Sequence, residues 1–336
     1  MEPVQVGIVG LGYWGPNLLR NFALCEQARV RAVCDKRQEQ LDTYKRWHAN
    51  TLFTTNYEDL LKDPKIEALV IATPVSSHFS LAKAALEAGK HVLVEKPLVS
   101  SSQEAKELID LATKQKKILM VDQTFVYEDA VDRMKKYIDD KAIGDLLYYD
   151  STRINLGLIQ RDTNVMWDLA IHDLSILNHI RPVTDVTSVL AYGQSIHTKQ
   201  LEMAHIHIKF QDGFSAHIHV SWLSPVKLRR TLIGGSEKMI VYDDNEPSEK
   251  IRLYDKGVTV TKEEQTFALP IYRSGDVVIP RLNAVEPLKV LAAHFCKCVR
   301  GEENPKTPAS NSERIINILE LADQSIQERC EIIIKA

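Results

Sequence analysis

The feature that most constrains this chain lies in its first fifteen residues, where a short apolar run, Val4-Gln5-Val6-Gly7-Ile8-Val9, passes directly into Gly10-Leu11-Gly12-Tyr13-Trp14-Gly15. Glycines at this spacing, between a strand and a helix over residues 17–25, each have a physical task. The first permits a tight turn, the second lets an incoming group approach the backbone, and the third lets helix and strand pack closely. The helix that follows aims its free N–H groups at an anion. A second strand, Val30-Arg31-Ala32-Val33-Cys34, ends in Asp35, whose carboxylate can accept from both hydroxyls of a ribose. Strand, glycine turn, helix and acidic strand end together specify a dinucleotide site. Gly10, Gly12, Tyr13, Trp14 and Gly15 are expected at the pyrophosphate, and Asp35, Lys36 and Arg37 at the adenosine ribose. A carboxylate repels a 2′-phosphate and so favours NAD, whereas an arginine beside it can cradle that phosphate and leaves NADP open.

The strand–helix alternation continues. Apolar runs at 68–72, 91–95 and 118–121 read as strands, and residues 38–49, 57–61, 77–87 and 102–114 as helices, with Gly89 as a helix stop. Short apolar strands separated by helices imply right-handed crossovers and a parallel sheet covered on both faces, a Rossmann arrangement over residues 1–125. The pattern changes near residue 125. A helix over 127–138 precedes longer, partly alternating strands at 146–154, 186–192, 204–210, 214–222 and 226–233, then shorter ones at 239–242 and 251–254. Gln211-Asp212-Gly213 marks a hairpin. Helices over 286–299 and 312–328 close the chain, and 301–312, rich in Pro, Asn and Ser, reads as its least ordered stretch. The expected class is therefore α/β, with a second α+β domain over residues 126–336 whose last helices can pack back on the first domain.

Composition narrows the partners. The 336 residues are 44% hydrophobic and 26% charged, with a net charge of −3, which offers no electrostatic footprint for nucleic acid or an anionic membrane. No run approaches the ~20 apolar residues of a membrane span. The N-terminus lacks the basic and apolar regions of a signal peptide, so the expected location is cytoplasmic. Five cysteines, Cys25, Cys34, Cys296, Cys298 and Cys330, form no disulfide framework by count and context, and Cys296-x-Cys298 is too tight for a zinc knuckle.

Two further strand ends carry chemistry, because ligands of open parallel sheets sit beyond the carboxyl ends of the strands. One reads Ala72-Thr73-Pro74 with His78 close behind, the other Glu95-Lys96-Pro97. Thr73, Pro74, His78, Glu95 and Lys96 are thus candidate cofactor contacts, and Lys96 can also donate to a substrate oxygen. In the second half, Asp168 and His172 stand at i and i+4 of an expected helix and share a face, so the carboxylate can orient the imidazole as a general base. By itself such a pair is more often a surface contact. His205, His207, His217 and His219 alternate along two strands and read as a polar ladder in preference to a metal site, and no metal is expected.

Taken together, the glycine turn, Ala72-Thr73-Pro74 with His78, Glu95-Lys96-Pro97 and Asp168-x-x-x-His172 resemble the glucose–fructose oxidoreductase/inositol dehydrogenase (Gfo/Idh/MocA) family, in order and spacing across essentially the whole chain. The resemblance implies an open, mainly antiparallel sheet in the second domain that packs against another subunit, giving a homodimer or homotetramer. It implies that Lys96, Asp168 and His172 correspond to the family's catalytic lysine, aspartate and histidine. The stretches Gly12-Tyr13-Trp14-Gly15-Pro16-Asn17-Leu18, Arg153-Ile154-Asn155-Leu156-Gly157 and Trp167-Asp168-Leu169 are similar to members that act on nucleotide sugars, such as UDP-N-acetylglucosamine 3-dehydrogenases and keto-sugar reductases. On that basis Arg153, Asn155, Gln160 and Arg161, with Asp168 and His172, are candidate substrate contacts, arginines suiting a diphosphate. Val165-Met166-Trp167 and Ile171 depart from the glycines that many members carry there. An inositol or free-sugar dehydrogenase is the alternative enzyme, and a non-catalytic dinucleotide sensor the alternative of another class. Whether His172 or Lys96 is the formal base stays open.

Overall fold

The computed structural model describes residues 2–157, 159, 163–259 and 271–334. The chain forms two compact units, residues 1–128 with 285–317, and residues 129–284 with 318–336. In chain order the helices are α1 (Gly15–Leu24), α2 (Gln38–Lys45), α3 (Glu58–Lys62), α4 (His78–Glu87), α5 (Ser102–Gln115), α6 (Asp129–Asp139), α7 (Ile171–Ile180), α8 (Pro287–Val299) and α9 (Ala309–Glu328).

The first unit holds a six-stranded parallel sheet. Its strands are β1 (Val4–Val9), β2 (Ala28–Cys34), β3 (Leu52–Thr54), β4 (Ala68–Ile71), β5 (His91–Glu95) and β6 (Leu119–Asp122), in the order β3-β2-β1-β4-β5-β6. The order reverses between β1 and β4, the place where sheets of this kind bind ligands. Every residue of β4 is buried, the continuous apolar run expected of a parallel strand covered on both faces. α5 starts where Ser101 Oγ accepts from Glu104 N at 3.2 Å. The core of this unit also takes in α8, whose Phe295 meets Phe22 of α1 edge-on at 6.1 Å between ring centroids. The three-residue β3 is too short to show a period in the sequence.

The second unit is built on a nine-stranded sheet: β7 (Leu146–Leu156), β8 (Val186–Gln194), β9 (Met203–Phe210), β10 (Ser215–Ser221), β11 (Leu223–Gly235), β12 (Met239–Asp243), β13 (Ile251–Thr259), β14 (Ile271–Val278) and β15 (Ile332–Ile333). Their order is β14-β13-β12-β11-β7-β10-β9-β8-β15, antiparallel except where β7 and β10 run parallel. The mainly antiparallel sheet agrees with the expected fold. Alternation sets its two faces: Ala204, Ile206, Ile208, Ala216, Ile218 and Val220 are buried, and the intervening His205, His207, His217 and His219 look the other way.

One expectation fails. Residues 301–312 are well tied, since Thr307 is buried, donates its hydroxyl to Val121 O at 2.7 Å and accepts Val121 N at its carbonyl. Proline and asparagine content signals a break in regular structure, not a lack of backbone partners, and α9 starts at Ala309, three residues before the expected position.

Candidate active site

The glycine turn follows from sterics. Gly10 has φ of +96°, and a Cβ there would sit 2.5 Å from Ala72 O; at Gly15 it would sit 2.0 Å from Gly10 O. At Gly12 a Cβ would meet nothing within 4 Å. The fold therefore needs glycine at 10 and 15, while the room beside Gly12 fits the approach of a dinucleotide pyrophosphate. Asp35, almost fully buried, closes the turn: Oδ2 accepts from Leu11 N at 2.7 Å, and Oδ1 from Arg37 N at 2.9 Å and Arg37 Nε at 3.1 Å. Burial by itself would raise this carboxyl, but the Arg37 guanidinium and the two N–H groups outweigh it and hold the carboxyl below its ordinary value. Arg37 Nη2 also reaches Asp35 Oδ2 at 3.2 Å, so the two residues expected at the adenosine ribose are paired with each other, Asp35 buried and Arg37 half-exposed. Lys36 is exposed, and Tyr13 is 87% exposed.

Trp14, at the N-cap of α1, is partly buried against the core of the unit and donates Nε1 to Asp122 Oδ2 at 2.8 Å. Asp122 ends β6 opposite Glu95 of β5, and Thr124 Oγ1 donates to its other oxygen at 2.6 Å. Burial raises its carboxyl, opposed by these two donors and by the charge of Lys96. Spacing in the sequence does not single out Asp122, although an acid closing a buried parallel strand is a signal of a site. Thr73 accepts Ser77 Oγ at 2.8 Å, Pro74 is exposed, and Lys96–Pro97 is a cis bond.

His78 is placed differently from its expected role at the cofactor. Its ring is buried, with Nε2 2.7 Å from Thr73 O and Nδ1 2.9 Å from Pro97 O. Burial holds the imidazole below its ordinary pKa, opposed by the carbonyl contacts. A neutral imidazole has one N–H and donates to one of these oxygens at a time. The ring thus braces the backbone after β4 against that after β5.

In the second unit, Asp168 lies in a wide helical turn, Met166–Ala170, in which Ile171 N reaches Met166 O, five residues back. Such a turn takes more residues than an α-turn, so the four steps to His172, in the first turn of α7, fall short of a full rotation instead of slightly passing it. Asn164 Oδ1 caps the turn, accepting from Met166 N at 2.9 Å and Trp167 N at 3.3 Å. Asp323 of α9 accepts from Asn164 Nδ2 at 3.0 Å and from Trp167 Nε1 at 2.7 Å, and burial raises its carboxyl against these two donors. Asp168 Oδ2 accepts from Trp222 Nε1 at 3.0 Å. Trp222 is buried, and its indole fixes the carboxylate. Gly157 opposes it, since a Cβ there would fall 2.8 Å from Trp222 Cδ1.

The candidate substrate residues separate. Arg153 is buried in an ion pair with Asp173, Nε to Oδ2 2.8 Å, with both side chains 2% exposed, so it is an interior residue and not a surface arginine waiting for a diphosphate. Asn155 keeps a buried Oδ1 that no described group satisfies. Gln160 and Arg161 lie outside the described residues. Among the described residues, no group of three His, Cys, Asp or Glu side chains is arranged to hold a metal ion, and no helix is long and apolar enough to cross a membrane.

Comparison with known proteins bears on both units. Residues 4–123 match the family described as "Oxidoreductase family, NAD-binding Rossmann fold", and residues 131–241 match "GFO/IDH/MocA C-terminal domain". The chain is 32% identical over 183 residues, 51% of each chain, to inositol 2-dehydrogenase/D-chiro-inositol 3-dehydrogenase of Lactiplantibacillus plantarum. It is 26% identical to scyllo-inositol 2-dehydrogenase (NAD(+)) of Bacillus subtilis strain 168, over 91% of this chain and 88% of that one. The matched share of two other curated lengths is smaller, 66% for an uncharacterized oxidoreductase of B. subtilis and 51% for the L. plantarum enzyme. Among solved structures, UDP-N-acetylglucosamine 3-dehydrogenase from Acidithiobacillus ferrooxidans superposes with a TM-score of 0.82 at 21% identity, covering 98% of this chain and 99% of that one. At that identity the likeness is one of fold.

Proposed function

Because the chain belongs to the Gfo/Idh/MocA family of NAD-binding oxidoreductases, we propose that it interconverts a secondary ring alcohol and the matching ketone on a sugar, the 3-hydroxyl of a nucleotide sugar such as UDP-N-acetylglucosamine being the first to test. The observation that carries this reading is the Asp168 carboxylate, fixed by the Trp222 indole in the turn that leads into His172. Removing a hydroxyl proton needs a positioned base of near-neutral pKa, and an imidazole with a carboxylate to orient it meets that need. The glycine turn and Asp35 would hold NAD, which when bound accepts the hydrogen and two electrons of the carbinol carbon. His172 takes the hydroxyl proton, Lys96 donates to the oxygen as negative charge develops on it, and Asp168 keeps the imidazole in register. The unsatisfied Asn155 Oδ1 is an acceptor suited to a ligand hydroxyl or amide. Similarity of Gly12–Leu18 and Trp167–Leu169 to nucleotide-sugar members supports the substrate class.

A second reading, an inositol dehydrogenase, is favoured by the near full-length alignment with the B. subtilis enzyme. Absorbance of reduced nicotinamide separates the two when NAD⁺ and NADP⁺ are each offered with UDP-N-acetylglucosamine, free N-acetylglucosamine, myo-inositol and scyllo-inositol. Reduction with the nucleotide sugar supports the first reading and reduction with free inositols alone the second. Binding of NAD⁺ without reduction by any of them would sink both in favour of a sensor. We also propose that a second copy covers the outward face of the nine-stranded sheet, where Tyr192 is 65% exposed. A light-scattering mass equal to one chain would exclude it.

A further inference from the structure

α7 is enclosed on nearly every side. Of its ten residues only His172 and His179 are not fully buried, and they stand two turns apart on one side. A helix with a single apolar stripe takes its rotation from that stripe. A helix with apolar neighbours all round does not, because turning it about its axis exchanges one buried contact for another. The wide turn ahead of it loosens the register further. Apolar packing therefore leaves the direction of His172 underdetermined.

The polar contacts are specific. Asp173, adjacent to His172, accepts at Oδ2 from Arg153 Nε at 2.8 Å, and at Oδ1 from Ser151 Oγ at 2.6 Å and Arg153 Nη2 at 3.2 Å. Its main-chain carbonyl accepts Tyr149 OH at 3.1 Å. Tyr149, Ser151 and Arg153 are alternate residues of β7, all buried on one face, so they form a row of donors at fixed spacing along the strand. A rotation or slide of α7 by one residue would leave a carboxylate and a guanidinium buried apart. A buried ion pair adds little net stability over a well-packed apolar pair of like volume, because desolvation offsets the attraction. What the two-pronged pairing adds is direction.

The geometry points to Arg153 and Asp173 as positioning residues, a rotational key that turns His172 outward from the core and holds it there. This rests on the reading of His172 as the base. It gives Arg153 a part in the reaction through the helix, in place of the substrate contact that the sequence suggested.

The test uses the full chain carrying Arg153→Met with Asp173→Leu, which removes both charges and leaves neither alone, and Arg153→Lys, which keeps the charge without the fork. The readout is the imidazole nitrogen spectrum of the folded protein, with the His172 signal assigned by its loss in His172→Ala. Expected are a melting temperature within a few degrees of the parent, a displaced His172 signal and titration midpoint, and at least a threefold change in carbethoxylation rate at His172, with the lysine variant intermediate. NAD⁺ affinity stays as in the parent. An unchanged His172 signal in folded double variant overturns the proposal, and so does a double variant that cannot fold, which would make the pair a support of stability. Full turnover in His172→Ala would remove the base assignment while leaving the orientation result intact, so the two failures are distinguishable.

Discussion

The two units solve the same problem, holding charged groups at a chemical site, at different sequence ranges. In the nucleotide-binding unit the turn is closed by Leu11 N on Asp35, 24 residues apart; Gly15 is dictated by a collision with Gly10 O in the same segment, and Gly10 by its φ of +96° and by Ala72 O just past β4. In the second unit Asp168 takes its orientation from Trp222, 54 residues on, and the cap of its turn is steadied by Asp323, 159 residues from Asn164. The first site rests mainly on local backbone geometry, with one distant neighbour, Ala72, closing it. The second exists only once a sheet and two helices have assembled.

The largest effects should fall on proton transfer. His172→Ala is expected to lower turnover by about 10²–10⁴-fold, the range of general acid–base catalysis, with NAD⁺ affinity unchanged in calorimetry. Lys96→Ala should lose turnover on a similar scale. Retained turnover in both would break the assignment of chemistry to these groups.

Two glycine variants sharpen the contrast within the local site. Gly15→Ala places a Cβ against the carbonyl of Gly10 and should lower the melting temperature and abolish NAD⁺ binding together. Gly12→Ala meets no protein atom, so the melting temperature should hold while NAD⁺ affinity drops by about tenfold, roughly 1.4 kcal/mol. Equal melting losses in the two would show that Gly12 serves the fold and not the ligand.

Trp222→Phe keeps the aromatic packing and removes the donor to Asp168. Turnover should fall by about tenfold, consistent with about 1.5 kcal/mol for a hydrogen bond to a charged group, with little change in NAD⁺ affinity. An unaltered rate would detach Asp168 from the reaction.

The smallest expected effect is the pH dependence of the second unit. His205 and His219 stack at 4.2 Å between ring centroids, with His217 at 5.6 Å from His205. Burial and then repulsion from His205 and His217 push His219 down to about 4, opposed weakly by Asp150; burial and His217 also lower His205. These rings bind protons more readily when unfolded, so they leave stability untouched above the unfolded value near 6.5 and erode it as pH falls toward 4. Because the rings are only partly buried, solvent screening limits the loss to about 1 kcal/mol. The melting temperature should decline by a few degrees between pH 7.5 and pH 5, and His219→Phe should flatten that decline.

The same contrast explains what could be read without coordinates. Gly10, Gly12, Gly15 and Asp35 stand in one contiguous stretch whose backbone rules are local, so the nucleotide-binding fold and its cofactor class were legible. The alternation of β9 and β10 announced a two-faced sheet for the same reason. The wide turn at Met166–Ala170, the indole on Asp168 and the Asp122 carboxylate under Trp14 were not legible, because hydrogen bonds between distant segments leave no periodic trace. His78 and Arg153 show the converse error. Each stood beside a site in sequence, and each is buried on other partners.

Residue order alone thus determined the parallel sheet, the switch point and the glycine turn, since these follow from strand burial, φ/ψ limits and the absence of a Cβ. Only the tertiary structure decided where the charges point. A buried carboxylate or guanidinium must find its partner wherever the chain supplies one, and that partner is set by packing across the sheet and not by spacing along the sequence.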